Sequence, residues 1–120
     1  MNDHFESNEK LYRAIWPPEL APMFWKRDGS LSYTAFIDPK GLSVDRGYYR
    51  DDAEVRYEIS KRFTGSIVKF YVRACNEIGA CIRYLPSAKN VFHSEVHGSK
   101  SSIPLSKHQS IQLARRAIKV

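Results

Sequence analysis

Hydrophobic and polar positions alternate along this chain in short runs, and twice the runs give way to a helical period. Residues 11–15 (LYRAI) are a short apolar run that reads as a strand or as a last helical turn, and Trp16-Pro17-Pro18 ends it because proline continues neither ladder. Residues 19–27 (ELAPMFWKR) connect onward, with Met23, Phe24 and Trp25 expected to plug the edge of the core. Residues 31–37 (LSYTAFI) alternate with period two and predict a strand, as do residues 42–46 (LSVDR), where Leu42 and Val44 share a face opposite Ser43 and Asp45. Residues 66–74 and 80–85 predict two strands joined by a turn at residues 76–79, and residues 91–97 (VFHSEVH) another, ended by Gly98.

The helical period appears in two places. Residues 51–63 carry Val55, Ile59 and Phe63 at i, i+4 and i+8, with Asp51, Asp52 and Glu54 at the start and Lys61 and Arg62 at the end. A last helix follows Ser106, which with Gln109 forms a capping box; Ile111, Ala114 and Ile118 are its expected apolar stripe. The sum is an α+β fold: a small, mostly antiparallel sheet with two helices packed on it. Residues 1–10 are read as a polar, mobile N-terminus and residues 11–120 as a single domain.

Composition narrows the class. The 120 residues are 42% hydrophobic and 27% charged, as in ordinary globular proteins. No run approaches the ~20 apolar residues of a membrane span, and the acidic opening MNDHFESNEK lacks the apolar core of a secretory signal. No membrane partner is expected. Cys75 and Cys81 form no CxxC pair, so a cysteine zinc site is unsupported; they are read as two buried thiols in a reduced, cytoplasmic protein. A turn between them would also bring them opposite each other, where a cross-strand disulfide is the alternative.

Charge changes the picture more. Residues 1–60 hold eight Lys/Arg and eleven Asp/Glu, whereas residues 61–120 hold eleven Lys/Arg and two Asp/Glu. No acidic side chain follows Glu95, while Lys100, Lys107, Arg115, Arg116 and Lys119 do, with His97 and His108 among them. Such a half-chain suits an anionic partner, nucleic acid first. Lys100, Lys107, Arg115, Arg116 and Lys119 are the expected phosphate contacts, and Arg73 and Arg83 the sheet-face ones. The alternative is that the acidic half folds against the basic one, with Arg115, Arg116 and Lys119 answering a helix dipole.

One constellation carries possible chemistry. In an extended residue 91–97 segment, His93, Glu95 and His97 point one way and Phe92, Ser94 and Val96 the other. Same-face neighbours are ~6.6 Å apart and the two histidines ~13 Å, too far to ligate one ion together. Three readings follow. The row is a solvated strand face with Glu95 paired to a neighbouring cation. Or it is a metal-independent ribonuclease centre, with His93 and His97 as acid and base, Glu95 orienting or acting as base, and Arg83 holding the transition-state charge. Or one histidine and Glu95 join His108 or Asp45 around a metal, which the missing H-E-x-x-H spacing disfavours. No metal and no cofactor is assigned. Tyr33, Phe36, Tyr48, Tyr49 and Tyr71 are candidates for base stacking, and Asp45-Arg46 reads as an ion pair.

Two resemblances add to this reading. Arg13 with Tyr12, and Ser30-Leu31-Ser32, resemble the arginine and serine elements of ADP-ribosyltransferase-like folds, although the nucleotide loop of the related RES toxins is missing. The blocks LYRAI, DGSLSYTAF, GLSVDR, FHSEVHG and LSKHQSIQLARRA resemble a group of small uncharacterised bacterial proteins, over most of residues 11–117. That resemblance implies a bacterial, soluble, single-domain protein in which the late histidine block is a group feature, and it implies no catalytic role. The first expectation is therefore an accessory or binding protein for nucleic acid or another anionic partner. The second is the ribonuclease, and the third a structural subunit of a complex whose protein partner comes from a neighbouring gene.

Overall fold

The computed structural model describes residues 1–120. Six strands form one sheet: β1 (Lys10–Ile15), β2 (Leu42–Arg46), β3 (Ser66–Tyr71), β4 (Cys81–Tyr84), β5 (His93–His97) and β6 (Ile118–Lys119). Their order is β4-β5-β2-β1-β3-β6, and every pairing is antiparallel. Three α-helices accompany them, α1 (Asp52–Ser60), α2 (Val72–Glu77) and α3 (Lys107–Arg116). The fold is α+β, as the patterning predicts, with one helix more.

The strand period divides the sheet into two unlike faces. Leu11, Ile15, Leu42, Val44, Val68, Phe70 and Val96 form the main core with Phe36, Cys75 and Leu113, so α3, α2 and the 3₁₀ turn Tyr33–Phe36 cover that face. On the opposite face Tyr12 and Ile67 meet Val55 and Ile59 of α1. That helix lies over β1 and β3, and the β2-β5-β4 half of its face carries no helix.

Reciprocal side-chain hydrogen bonds fix the starts of α1 and α3. Asp51 and Glu54 close a capping box on α1, and Ser106 and Gln109 close one on α3. Asp52 then pins α1 to the sheet by accepting from Lys69 Nζ, the Tyr12 hydroxyl and Lys10 Nζ. These bonds, that from Lys69 first, hold the Asp52 carboxyl well below the usual carboxylate range. Its folded pKa lies below its unfolded value near 3.9, so its contribution is complete above that value and is lost as pH falls through the folded one. Urea midpoints are accordingly expected to fall from about pH 5 downward. They should fall less steeply in Asp52→Asn, which is the weaker protein at pH 7; parallel curves for the two would remove Asp52 from the acid response.

Four local expectations are corrected. Residues 31–37 form no strand: the Ser32 side chain accepts from Thr34 N–H, Tyr33–Phe36 coils into the 3₁₀ turn, and the neighbours Ala35 and Phe36 are both buried, which one strand face does not allow. β3 stops at Tyr71 and continues as α2, so residues 76–79 make no hairpin. Cys75 is buried in that helix, Cys81 is half-buried on β4, and both are free thiols; burial pushes the Cys75 pKa up to about 12. The inner side of α3 is Ser110 and Leu113, flanked by Ala114, because the Ser110 hydroxyl donates to Phe36 O at 3.0 Å. Ile118 leaves the helix for β6, where it is exposed. Finally, Asp45 and Arg46 do not pair, since successive residues of β2 face opposite ways. Asp45 accepts from Arg62 and Asn90, and Arg46 donates to Glu9.

Candidate functional site

β5 is extended, and its period places His93, Glu95 and His97 on the face that α1 shares, over the helix-free half. Registers complete the surroundings: Asp45 lies opposite His93 and Ser43 opposite Glu95 on β2, while Arg83 lies opposite Glu95 and Cys81 opposite His97 on β4. The carboxylate of Glu95 sits between the imidazoles, with Oε1 at 3.0 Å from His97 Nε2 and Oε2 at 3.6 Å from His93 Nε2. The first is a hydrogen bond; the second is an ion-pair distance. Glu95 is therefore turned to its own strand rather than to a cation on the next one. Arg83 donates from Nη2 to Lys100 O at 3.1 Å.

Exposure separates the three side chains. That of His93 is 29% and that of Glu95 21% exposed, but His97 is only 3% exposed. Gly41 closes over it: a Cβ there would lie 2.9 Å from both His97 Nε2 and Glu95 Oε1, and the residue holds φ +102, where glycine is favoured. The Nδ1 of His97 is buried without a partner. The row thus presents one reachable imidazole and one reachable carboxylate. The two candidate metal partners lie elsewhere: His108 is on α3 across the sheet, and Asp45 is held by Arg62 and Asn90.

Gly41→Ala is expected to lower stability by about 1–3 kcal/mol, through both the backbone conformation and the collision with a buried ring. The check is a urea melt alongside the His97 imidazole NMR signals, which should shift. An unchanged melt with unshifted signals would show that the turn does not close the row.

The cations of α3 lie on the other face. After β5 the chain passes through residues 98–106, and Gln109 anchors the start of α3 by donating to Gly98 O and Ile78 O. The helix crosses the main core toward the far edge, where β6 pairs with β3. Its outer side exposes Lys107, His108 and Arg115, followed by exposed Lys119 and preceded by exposed Lys100. Arg116 is tied to Gln112 and Glu77. Lys107 Nζ lies 5.3 Å from the centre of the Tyr33 ring, and the Arg73 guanidinium 4.2 Å from that of Tyr71.

The seven cations singled out in the sequence therefore do not form one patch. Arg83 and Lys119 are on opposite edge strands, about five strand spacings or ~24 Å apart. The histidine row and α3 are on opposite faces, so the expectation of imidazoles lined up beside the basic tail is corrected. Lys107, Arg115 and Lys119 follow the α3 crossing, Arg116 is partly spent on Glu77, and Lys100 stands at the β4 edge with its carbonyl held by Arg83.

The other candidates hold structure. Arg13 donates to Ala35 O and Ser43 O, and Ser30 closes a turn on Asp28. Phe36 is core. Sequence reasoning missed Arg46, which is fully buried, although Leu42, Val44 and Arg46 share one face by simple alternation. It also missed the conformation of Tyr48 and Tyr49, for which the sequence GYYR carries no signal. No protein-family model matches this chain, and no curated protein and no solved structure matches it.

Proposed function

We propose that the protein binds a polyanion, nucleic acid before others, along the outer side of α3. The observation that supports this most is the placement of Lys107. It occupies the first position of a ten-residue helix whose first turn holds no acidic residue, where the helix dipole disfavours a cation. Helix stability does not account for it; beyond the Tyr33 ring at 5.3 Å the ammonium has no partner in the chain, and an external phosphate would supply one. Arg115 and His108 extend the row along the helix, seven residues apart and so on one side. Glu77 on α2 is the one carboxylate paired with this side.

The test is fluorescence anisotropy with labelled single-stranded RNA and duplex DNA, with unlabelled polyglutamate as competitor. Saturable binding of an oligonucleotide that polyglutamate displaces only weakly is the expected result. Preferred binding of polyglutamate would assign the face to an acidic protein, and no saturable binding would end the proposal.

The contact of Glu95 with both imidazoles favours a second reading, metal-independent RNA cleavage. With His97 enclosed, His93 would exchange the proton and Glu95 would orient it. It predicts chelator-resistant cleavage that disappears in His93→Ala; RNA left intact by the parent protein removes it.

A further inference from the structure

A second site lies at the far end of β2, in a hollow of about 300 Å³ between the N-terminal residues and residues 47–51. That volume is at the lower end of small-molecule sites. The turn at its wall is unusual in its backbone. Tyr48 has φ +44 and Tyr49 φ +66, two successive side-chain-bearing residues in the left-handed region, which disfavours both. The neighbours enforce this arrangement: Tyr48 N–H donates to Glu9, and Arg50 donates to Gly47 O and Arg46 O. Its result is a presented ring. Tyr49 is 89% exposed and meets Tyr48 edge-on at 5.0 Å, whereas Tyr48 stacks over Arg46.

The groups around these rings choose the ligand's charge. The basic side chains of the lining are turned away from the hollow or already paired: Lys10 Nζ is held by Asp52, His4 Nε2 faces Glu6, and the Arg50 guanidinium lies 3.4 Å from the centre of the Phe92 ring while donating to the two carbonyls, its unpartnered Nη1 being buried. What stays open toward the hollow is acceptor-rich: the Glu6 oxygen beyond the one that faces His4 Nε2 at 3.3 Å, the second oxygen of Asp51 beyond the one that caps α1, and the amide oxygen of Asn8. An electron-rich ring face beside carboxylates is the environment that holds an organic cation.

The geometry points to this hollow as a binding site for an alkylammonium group, seated on Tyr49 with Glu6 and Asp51 as counter-charges. The same chemistry comes from a free amine or from a lysine side chain of another protein. The site is remote from the outer side of α3 and does not depend on the polyanion reading.

The experiment is an amide NMR titration of the full chain with four probes: choline, its neutral isostere 3,3-dimethylbutanol, a capped peptide containing one lysine, and inorganic phosphate. Saturable shifts at Asn8, Tyr48, Tyr49 and Asp51 are expected with choline or with the peptide, the tighter of the two naming the source. The isostere should bind at least tenfold more weakly. Tyr49→Gly should abolish binding while raising Tm, because glycine adopts φ +66 freely; Glu6→Gln, at an exposed position, should weaken binding about tenfold with Tm unchanged. Equal binding of the isostere, saturation by phosphate at the same amides, no saturable shift with either ammonium probe, or undiminished binding by Tyr49→Gly would each overturn the assignment.

Discussion

Glu9→Ala is expected to destabilise the protein by about 3–5 kcal/mol, because it strands a cation in the interior. Arg46 is fully buried and donates to both oxygens of Glu9 at 2.8 Å, from Nε and Nη2. Nη1 donates to Asn2 O and Nη2 also to His4 O, and the guanidinium lies 4.1 Å from the centre of the Phe5 ring. One buried side chain thus fastens the N-terminal residues to the end of β2. Against a typical total of about 5–15 kcal/mol, the loss is a large share of all the stability present. Arg46→Lys should also be costly, since an ammonium cannot make the two parallel bonds to the carboxylate. The double variant Glu9→Leu/Arg46→Met should lose clearly less than the sum of its parts, because it leaves no unpaired charge. Urea denaturation of Glu9→Leu, Arg46→Met and the double variant checks this, and additive losses would show that the pair does not act as a unit.

Lys107→Glu/Arg115→Glu is expected to weaken oligonucleotide binding by on the order of tenfold to a hundredfold and to flatten its salt dependence. For every phosphate that the variant no longer neutralises, the slope of log K against log salt should shrink by roughly 0.7–0.9. Both side chains are exposed, so folding should survive. Glutamate at the first position of α3 even suits the dipole and offsets the small cost of glutamate near the helix end. Binding and stability should therefore separate: weaker binding with Tm within a few degrees. Parent-like affinity in this variant would leave the helix without the role proposed for it.

How far these features were legible depends on the range of the forces that set them. The starts of α1 and α3 were readable from local signals: the acidic Asp51, Asp52 and Glu54 that suit a helix dipole, and the Ser106–Gln109 capping box with its partners three residues apart; the Asp51–Glu54 box came with the structure. The shared face of His93, Glu95 and His97 was readable because a strand has period two. Residues 31–37 misled because a strand-like alternation was overridden by the Ser32 cap and by burial of Ala35 with Phe36 against the sheet. α2 was missed because six residues carry too little of a helical period to contradict a run rich in β-branched residues. The enclosure of His97 depends on Gly41, 56 residues away in sequence, and nothing local to residues 91–97 announces it. The separation of the basic helix from the histidine row is likewise non-local: Leu113 packs α3 on the face that Val96 presents, and the histidines of the same strand take the other.

The central claim is that a polyanion meets α3 and not the histidine face, and an amide chemical-shift map of the labelled protein titrated with an unlabelled RNA oligonucleotide addresses it most directly. Saturating shifts along Lys107–Arg116 and at Lys119, with His93 and Glu95 silent, are the predicted result. Shifts centred on Arg83, His93 and Glu95 would contradict it.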